Sequence, residues 1–472
     1  MDILFVIVYL GVLLFNGIRQ GQKIKSLKDF SVSTRKYGLF VLFASLSASF
    51  IGGGFSVGNA AEVFKRGIGN TVALFGFSVG QILIGQLIIA RARFPAGATS
   101  PGMVMRASYG RLGQITTGIC STLLSIGLLG AQIAAIGVMF NVLIHVPFIA
   151  GVLIGFAVIL VYSTAGGIKA IIAAEIIEFL LLAVGLPILL IYSVSYAGGS
   201  KEVLEKIPGT YFDIFNESSP RELFSLFLTL MMGEALTPPF IQRMLVGRDR
   251  KTIARATVLS GVISIPVFII TGIVGLCAYA VNSGLDPELA MPFMVMTALP
   301  VGIKGIVITT MLAVVMSSAD GCLASASIGI VSDIVDPLSR KKLRPEALLK
   351  IARVSNLVIG ILAMALAILM KNVFDILVFS YSGWSPVVLV SMVAAILGVR
   401  AGKKAFIASA TGGAVASIVW TYVAGEPFGI GGTAVGFLVS LILFLMLKET
   451  RQGSVKGEAL PDILTINNKA TK

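Results

Sequence analysis

The sequence consists largely of long apolar runs, each near the length at which an α-helix crosses a lipid bilayer. A spanning helix needs about 20 apolar residues, and it must satisfy its own backbone groups because the hydrocarbon core cannot solvate them. No alternation typical of β-strands accompanies these runs. We expect an all-α polytopic membrane protein with thirteen spans, at residues 2–18, 39–61, 70–91, 112–141, 147–163, 171–195, 222–242, 256–280, 305–333, 354–370, 373–397, 404–424 and 430–447.

The basic residues predict how the chain is oriented. Hydrophobic residues make up 56% of the sequence and charged residues 13%, and the net charge of +14 could suggest a nucleic acid partner. However, thirty of the 37 Lys and Arg residues lie in alternate connections between the runs, which is the asymmetry of cytoplasmic loops. We therefore expect a multi-pass protein of the cell membrane, in contact with the lipid bilayer, with its N-terminus outside, its C-terminus cytoplasmic and no nucleic acid partner.

One apolar run, from about 306 to 334, carries an unusual polar cluster. The segment Val315-Met316-Ser317-Ser318-Ala319-Asp320 places two adjacent hydroxyls and a carboxylate inside it. Polar and ionisable side chains are costly at this depth and commonly mark an ion or substrate pathway. Oxygen donors without imidazole or thiolate suit a hard cation such as Na⁺.

Two spans contain residues that interrupt a helix. The second span holds Gly52-Gly53-Gly54, each costing about 1 kcal/mol of helix propensity relative to alanine, and the seventh holds Pro238-Pro239. Close helix packing is one explanation. The other is a central site, because each break lies in the first span of a five-span set, and an odd-numbered repeat is inverted in the membrane.

This arrangement predicts one transmembrane transporter domain over residues 1–447. We expect a first inverted repeat at 39–195, a second at 222–397, extra helices at 404–447 and a short cytoplasmic tail at 448–472. Backbone carbonyls freed by the first break would help to coordinate a bare cation. The predicted Na⁺ ligands are the carbonyls of Ala48, Ile51 and Val314 and the hydroxyls of Ser317 and Ser318. Alternatively, the serine hydroxyls bond back to carbonyls of their own helix.

At these residues the chain resembles the sodium:solute symporter family, which includes sugar, proline, pantothenate, sialic acid, iodide and choline carriers. The resemblance covers nearly the whole of residues 1–447 and implies a leucine-transporter-type fold that couples Na⁺ entry to solute uptake. It assigns the main sodium site to the five ligands named above. The matching segments are Ala48–Gly54, Tyr162–Ala170 (the pattern Tyr-Ser-x-x-Gly-Gly-x-x-Ala), Phe240–Arg243 and Met316–Asp320.

The chain departs from the family beyond Ala170. Family members usually carry Thr-Asp and then Gln, where this sequence has Ala174-Glu175 and Glu178. In some relatives that Asp contributes to a second sodium site, so Glu175 could act together with Asp320, one turn beyond Ser317. Two converging carboxylates could also share a proton, or Glu175 could be an inert buried acid; the three interpretations stay open.

Candidate solute contacts lie around the two breaks. They are Phe50, Gly52, Gly53, Gly54, Phe55, Glu234, Tyr381 and Trp384. Core packing or lipid contact is the alternative for the aromatic residues, and support of the unwound backbone is the alternative for Glu234. The wording of several motifs is nearest to the choline carriers, but Thr237-Pro238-Pro239 replaces the tryptophan found there.

Together these features predict a sodium-coupled symporter that imports a small organic solute, such as an amino acid or related zwitterion, by alternating access. A proton-coupled symporter on the same fold and a transporter-like membrane sensor are the alternatives. No motif of a hydrolase, a nucleotide-binding enzyme or a metalloenzyme is present in the sequence, so we do not expect an enzyme.

Overall fold

Helices form nearly all of the chain that the computed structural model describes, which is residues 2–22, 37–95, 97–215, 218–340, 343–370, 372–399 and 401–448. No strand occurs within these ranges, which confirms the predicted all-α class. The side chains of Tyr162, Ala165 and Gly166 in the family motif lie outside the description, as does the predicted tail beyond Lys448.

The helices begin and end within a few residues of most predicted spans. Short 3-10 turns lie at Gly209–Phe212, Pro287–Leu289 and Pro427–Gly429. The predicted polar loop 196–221 contains a short helix, Ser200–Lys206. The helices are α1 (Asp2–Gly21), α2 (Leu39–Phe50), α3 (Gly54–Arg66), α4 (Gly69–Arg91), α5 (Pro101–Ile144), α6 (Phe148–Tyr196), α7 (Ser200–Lys206), α8 (Pro220–Gly233), α9 (Pro238–Val246), α10 (Arg250–Val281), α11 (Ala290–Ala298), α12 (Ile303–Leu338), α13 (Pro345–Met370), α14 (Val373–Leu397), α15 (Lys403–Val423) and α16 (Gly432–Leu447).

The number of membrane spans is smaller when only length and composition are considered. Within the described residues, nine helices are long and apolar enough to cross a bilayer, or up to eleven if each of two bent pairs counts as one span. Two shorter apolar helices, Phe148–Val161 and Gly432–Leu447, fall below that length. The count of thirteen therefore stays a prediction, and so do the boundaries of the two repeats.

Both predicted breaks are present. The axes of α2 and α3 differ by 61°, and those of α8 and α9 by 42°. At the second break, Leu236 has a positive φ of 54°. Pro238 then occupies the first turn of α9, where a missing N–H costs nothing because that donor has no partner within the helix.

Two glycines bend longer helical stretches. Gly110 (φ 70°) interrupts α5, and Gly167 (φ 60°) interrupts α6. Because only glycine adopts this backbone conformation without steric cost, the chain can turn sharply there. The predicted spans 147–163 and 171–195 consequently form the two arms of α6, joined at Gly167.

Helix α12 lies at the centre of the bundle and α1 at its edge. In the apolar 18-residue segment of α12, 94% of the residues are buried, whereas in the corresponding segment of α1 only 17% are buried. Even so, α1 is tied to the interior at two points. Asp2 Oδ1 accepts hydrogen bonds from the backbone N–H groups of Gly302 (2.7 Å) and Gly305 (3.1 Å), at the start of α12. The hydroxyl of Tyr9 donates to Glu178 of α6 at 2.9 Å.

Helices α4 and α8 approach so closely that Gly76 leaves no room for a side chain. A Cβ at this position would meet the backbone carbonyl oxygen of Phe227 well inside van der Waals contact. We expect Gly76→Ala to lower the free energy of unfolding by about 1–3 kcal/mol, because backbone cannot yield as a side-chain end can. Gly11→Ala is the control, since nothing lies within 4 Å of a Cβ there. Thermal unfolding in detergent compares the two, and equal stability would contradict the close approach.

Candidate ion and solute site

The first break leaves two carbonyls of α2 without their helical partners. In a continuous helix, Ala48 O and Ser49 O would accept from the N–H groups four residues later. Here the N–H of Gly52 donates to Phe50 O at 2.8 Å, and the N–H of Gly53 donates to Gln132 Oε1 of α5 at 2.7 Å. Both carbonyls are therefore available to another helix.

The two serines of α12 contact these carbonyls. Ser317 Oγ lies 2.7 Å from Ala48 O and 2.9 Å from Val314 O, and Ser318 Oγ donates to Ser49 O at 2.8 Å. A hydroxyl has one proton, so Ser317 can donate to only one of its two carbonyls at a time. Three oxygen atoms thus converge within a buried, solvent-free contact, in an arrangement that favours a cation.

The structure brings most of the predicted sodium ligands together. Ala48, Val314 and Ser317 meet directly, whereas Ser318 contacts Ser49, a residue that the sequence analysis did not select. Ile51 is buried at the break, with φ −79° and ψ 76°, and its N–H donates to Ser47 O at 3.1 Å. The complete five-ligand set stays a prediction.

A buried charge network lies beside this contact. Arg243 of α9 forms an ion pair with Glu175 of α6, and both side chains are fully buried. Glu175 also accepts hydrogen bonds from the hydroxyls of Ser45 and Ser49. Arg243 in turn donates to Pro239 O at 2.8 Å. The network therefore connects α2, α6 and α9 at the level of the first break.

Two further acids belong to the same region. Glu178 interacts electrostatically with Glu175 and Asp320, and it accepts the hydrogen bond from Tyr9. The sequence analysis joined Glu175 to Asp320 alone. The structure adds Arg243, which the sequence signalled only as the last residue of the Phe-x-Gln-Arg motif. The predicted joint role of Glu175 and Asp320 stays a prediction.

At the second break, side chains of α14 hold the unwound backbone. The Tyr381 hydroxyl donates to Glu234 Oε1 at 2.9 Å, and the indole N–H of Trp384 donates to Ala235 O at 3.1 Å. Thr237 Oγ1 lies 3.4 Å from Glu234 Oε2. Tyr381 and Trp384 are themselves completely buried. Both aromatic residues therefore stabilise the backbone of the break through hydrogen bonds made inside the bundle.

A cavity lies between the two breaks. Its free volume, about 20 Å³, is enough for a water molecule but not for an organic solute, so the solute would enter a wider conformation. Of the predicted solute contacts, Tyr381, Trp384 and Gly53 are not among its lining residues. The lining residues are Ser49, Phe50, Gly52, Gly54, Phe55, Leu128, Gln132, Glu234, Thr237, Pro239, Ser318, Cys322 and Leu377.

A second, larger cavity of about 200 Å³ lies beyond the C-terminal half of the first broken span. Glu62, Arg66, Asn70 and Asp375 contribute its polar lining. Glu62 and Arg66 form an ion pair at 3.2 Å. Nearby, in the connection between α10 and α11, burial raises the pKa of Glu288 to about 7, and the charges of Glu62, Asp286 and Asp375 contribute to this rise.

A multi-pass helical bundle with two broken spans around a central cavity is the architecture of a secondary transporter. The chain belongs to the sodium:solute symporter family, which it matches over residues 30–413. This confirms the resemblance found in the sequence motifs.

Individual relatives are distant but similar over most of their length. The osmoregulated proline transporter OpuE of Bacillus subtilis (strain 168) is 21% identical over 453 residues, covering 92% of each chain. The high affinity choline transporter 1 of Homo sapiens is 24% identical over 417 residues, covering 84% of this chain and 71% of that protein. The sodium/proline symporter of Escherichia coli (strain K12) is 22% identical over 441 residues, covering 88% of this chain and 86% of that protein.

Solved structures agree on the fold. A Na⁺-coupled sialic acid symporter in a substrate-bound outward-open state superposes with a TM-score of 0.82, at 18% identity, covering 94% of this chain and 96% of that one. MhsT in complex with L-phenylalanine gives a TM-score of 0.54 at 15% identity, covering 88% and 98%. The leucine-transporter-type fold expected from the sequence is thereby confirmed, and the relatives are membrane transporters rather than enzymes.

Proposed function

We propose that this protein is a sodium-coupled symporter that imports a small organic solute by alternating access. The observation that carries the proposal is the convergence of Ala48 O, Val314 O and Ser317 Oγ, three buried oxygens among which the Ser317 hydroxyl supplies the one side-chain proton. A sodium ion would satisfy all three oxygens at once, because each can act as a ligand of a hard cation.

In this proposal Na⁺ is a transported substrate that links α2 to α12. Solute binds in the neighbouring cavity, whose lining shares Ser318 and Gly52 with the region of the break. Each ligand must then increase the affinity for the other by the same factor, because coupling between binding sites is reciprocal. The proposed orientation has the N-terminus outside and the C-terminus in the cytoplasm. A membrane potential that is negative inside then favours the inward movement of Na⁺ by about 2.3 kcal/mol per charge for each 100 mV.

A proton is the second candidate for the coupling ion. Glu178 interacts electrostatically with both Glu175 and Asp320 inside the bundle, and Arg243 acts on both glutamates. Carboxylates that interact in this way cannot all ionise without strong mutual repulsion. A shared proton would relieve that repulsion and could be carried through the transport cycle.

The test is the thermal stability of the purified protein with a panel of small solutes, each measured in Na⁺ and in K⁺ at matched ionic strength. We expect a solute that stabilises the protein only in Na⁺, by about 2.7 kcal/mol at a hundredfold excess over its dissociation constant. Solute stabilisation that is equal in Na⁺ and K⁺ but changes with pH would overturn sodium coupling and favour a proton as the coupling ion.

A further inference from the structure

The central cavity contains a buried acid without a cationic partner. Glu234 is the only carboxylate among the described residues that line this cavity, and 6% of its surface is exposed. Its hydrogen-bond partners, Tyr381 and Thr237, are both neutral hydroxyls. Within the described chain Glu234 takes part in no ion pair. The one arginine of α9, Arg243, forms its ion pair with Glu175 instead.

A carboxylate in this position needs a positive charge or a proton. Removing an ion from water costs several kcal/mol unless a counter-charge accompanies it, and hydroxyl donors supply only part of that compensation. Glu234 lines the cavity together with Phe50 and Phe55 of the first broken span. A group that enters the cavity is therefore the available source of positive charge.

The aromatic rings in the cavity suit a cationic nitrogen as well. Phe50 is held edge-on against Phe77, with centroids 5.2 Å apart, and Phe55 packs on Phe268 at 5.4 Å. Rings fixed in this way lose little conformational entropy when a ligand packs against them. Aromatic faces attract ammonium groups, and more strongly when water is excluded.

We propose that the solute carries a positively charged nitrogen and that Glu234 binds it. This inference rests on the proposed function and names its substrate class: amines, quaternary ammonium compounds or zwitterions with a cationic nitrogen. Neutral sugars and purely anionic solutes are not expected to bind, because they bring no positive charge to Glu234. Tyr381 acts as a positioning residue, since its hydroxyl binds one oxygen of the Glu234 carboxylate, whereas the other oxygen lies 3.4 Å from the hydroxyl of Thr237.

The test compares solutes that carry a cationic nitrogen with matched solutes that lack it, on the full-length protein in Na⁺. Choline is paired with 3,3-dimethylbutan-1-ol, and L-proline with the anion N-acetyl-L-proline; short primary and secondary amines, glucose and N-acetylneuraminic acid complete the panel. We expect thermal stabilisation by at least one solute with a cationic nitrogen and none by its counterpart without that charge. Stabilisation by glucose or N-acetylneuraminic acid would overturn the inference. It would also be overturned if no solute with a cationic nitrogen in the panel stabilised the protein.

Variants then locate the charge recognition. Glu234→Gln keeps an acceptor for Tyr381 but loses the charge, so the affinity for the cationic solute should fall by about tenfold or more. Glu62→Gln is the control, since that buried glutamate pairs with Arg66 outside the central cavity; its affinity should stay within about twofold of the wild type. Equal binding by Glu234→Gln and the wild type would overturn the inference.

Two further results separate this inference from the proposed function. Glu234→Asp retains the charge and should retain the preference for cationic solutes, which guards against a glutamine variant that fails to fold. Na⁺-dependent binding of a neutral solute would reject the role of Glu234 and leave sodium symport standing. Binding of a cationic solute that is equal in Na⁺ and K⁺ would reject sodium coupling and leave the role of Glu234 standing.

Discussion

Replacing Ser317 and Ser318 together by alanine is expected to abolish sodium-dependent solute binding and uptake. The hydroxyls are the only side-chain groups of α12 in hydrogen-bond contact, among the described residues, with the carbonyls that the first break releases. Their loss removes two of the proposed cation ligands and leaves the carbonyls of Ala48 and Ser49 without these hydroxyl partners, at a cost of about 1–3 kcal/mol each. Uptake into proteoliposomes with and without a sodium gradient measures the first effect, and thermal unfolding the second.

Ser325→Ala is the matched control for this double variant. Ser325 lies two turns further along the same helix, is equally buried, and donates to Cys322 O of its own helix at 3.1 Å. The Ser325→Ala variant should keep its sodium dependence, since the hydroxyl that it loses bonds within α12 and not to a carbonyl of α2. Sodium stimulation that survives in the double variant would show that the ion binds elsewhere.

The largest loss of stability is expected from Arg243→Met. The side chains of Arg243 and Glu175 are both fully buried, so removing the guanidinium leaves an uncompensated carboxylate in the bundle. Breaking such a pair from one side costs about 3–5 kcal/mol, whereas replacing both partners by uncharged residues of similar size costs far less. Arg243→Met combined with Glu175→Gln should therefore unfold at a higher temperature than Arg243→Met alone.

Lys206→Met provides the comparison for an exposed pair. Lys206 and Glu202 lie 2.7 Å apart on α7, and both side chains are about half exposed. Solvent screening limits such a pair to less than about 1 kcal/mol. If Arg243→Met were no more harmful than Lys206→Met, or if the double variant were as unstable as the single one, the buried pair would not have the structural role assigned to it.

Hydropathy was sufficient to predict most of the long helices because a bilayer leaves the backbone few alternatives. The short helices α7 and α11 lie outside the predicted spans. Composition also identified both breaks, since three consecutive glycines and tandem prolines oppose a helix for local reasons. The position of the bend within α6 was harder to predict. Gly167 has a positive φ that depends on how the two arms pack, and the apolar runs on either side gave only an approximate boundary.

Side-chain partners across the bundle could not be predicted to the same degree. The importance of Ser49 follows from the capture of the Gly53 N–H by Gln132, a residue 79 positions away. A buried glutamine in an apolar span was the available signal, but a sequence does not reveal which backbone group such an amide meets. Similarly, Arg243 lies 68 positions from Glu175, and their pairing depends on helix packing that local pattern does not encode.

Helix α1 has a consequence for how variation near the N-terminus should be interpreted. Gly302, at the start of α12, has no side chain to cap its own helix, and Asp2 supplies the missing acceptor from another helix. Further along α1, Tyr9 reaches the acids of α6. This outer helix thus forms hydrogen bonds to both α12, which carries Ser317, and α6, which carries Glu175. We therefore expect variants and fused tags around residue 2 to disturb the packing of α12 and α6 from the periphery of the protein.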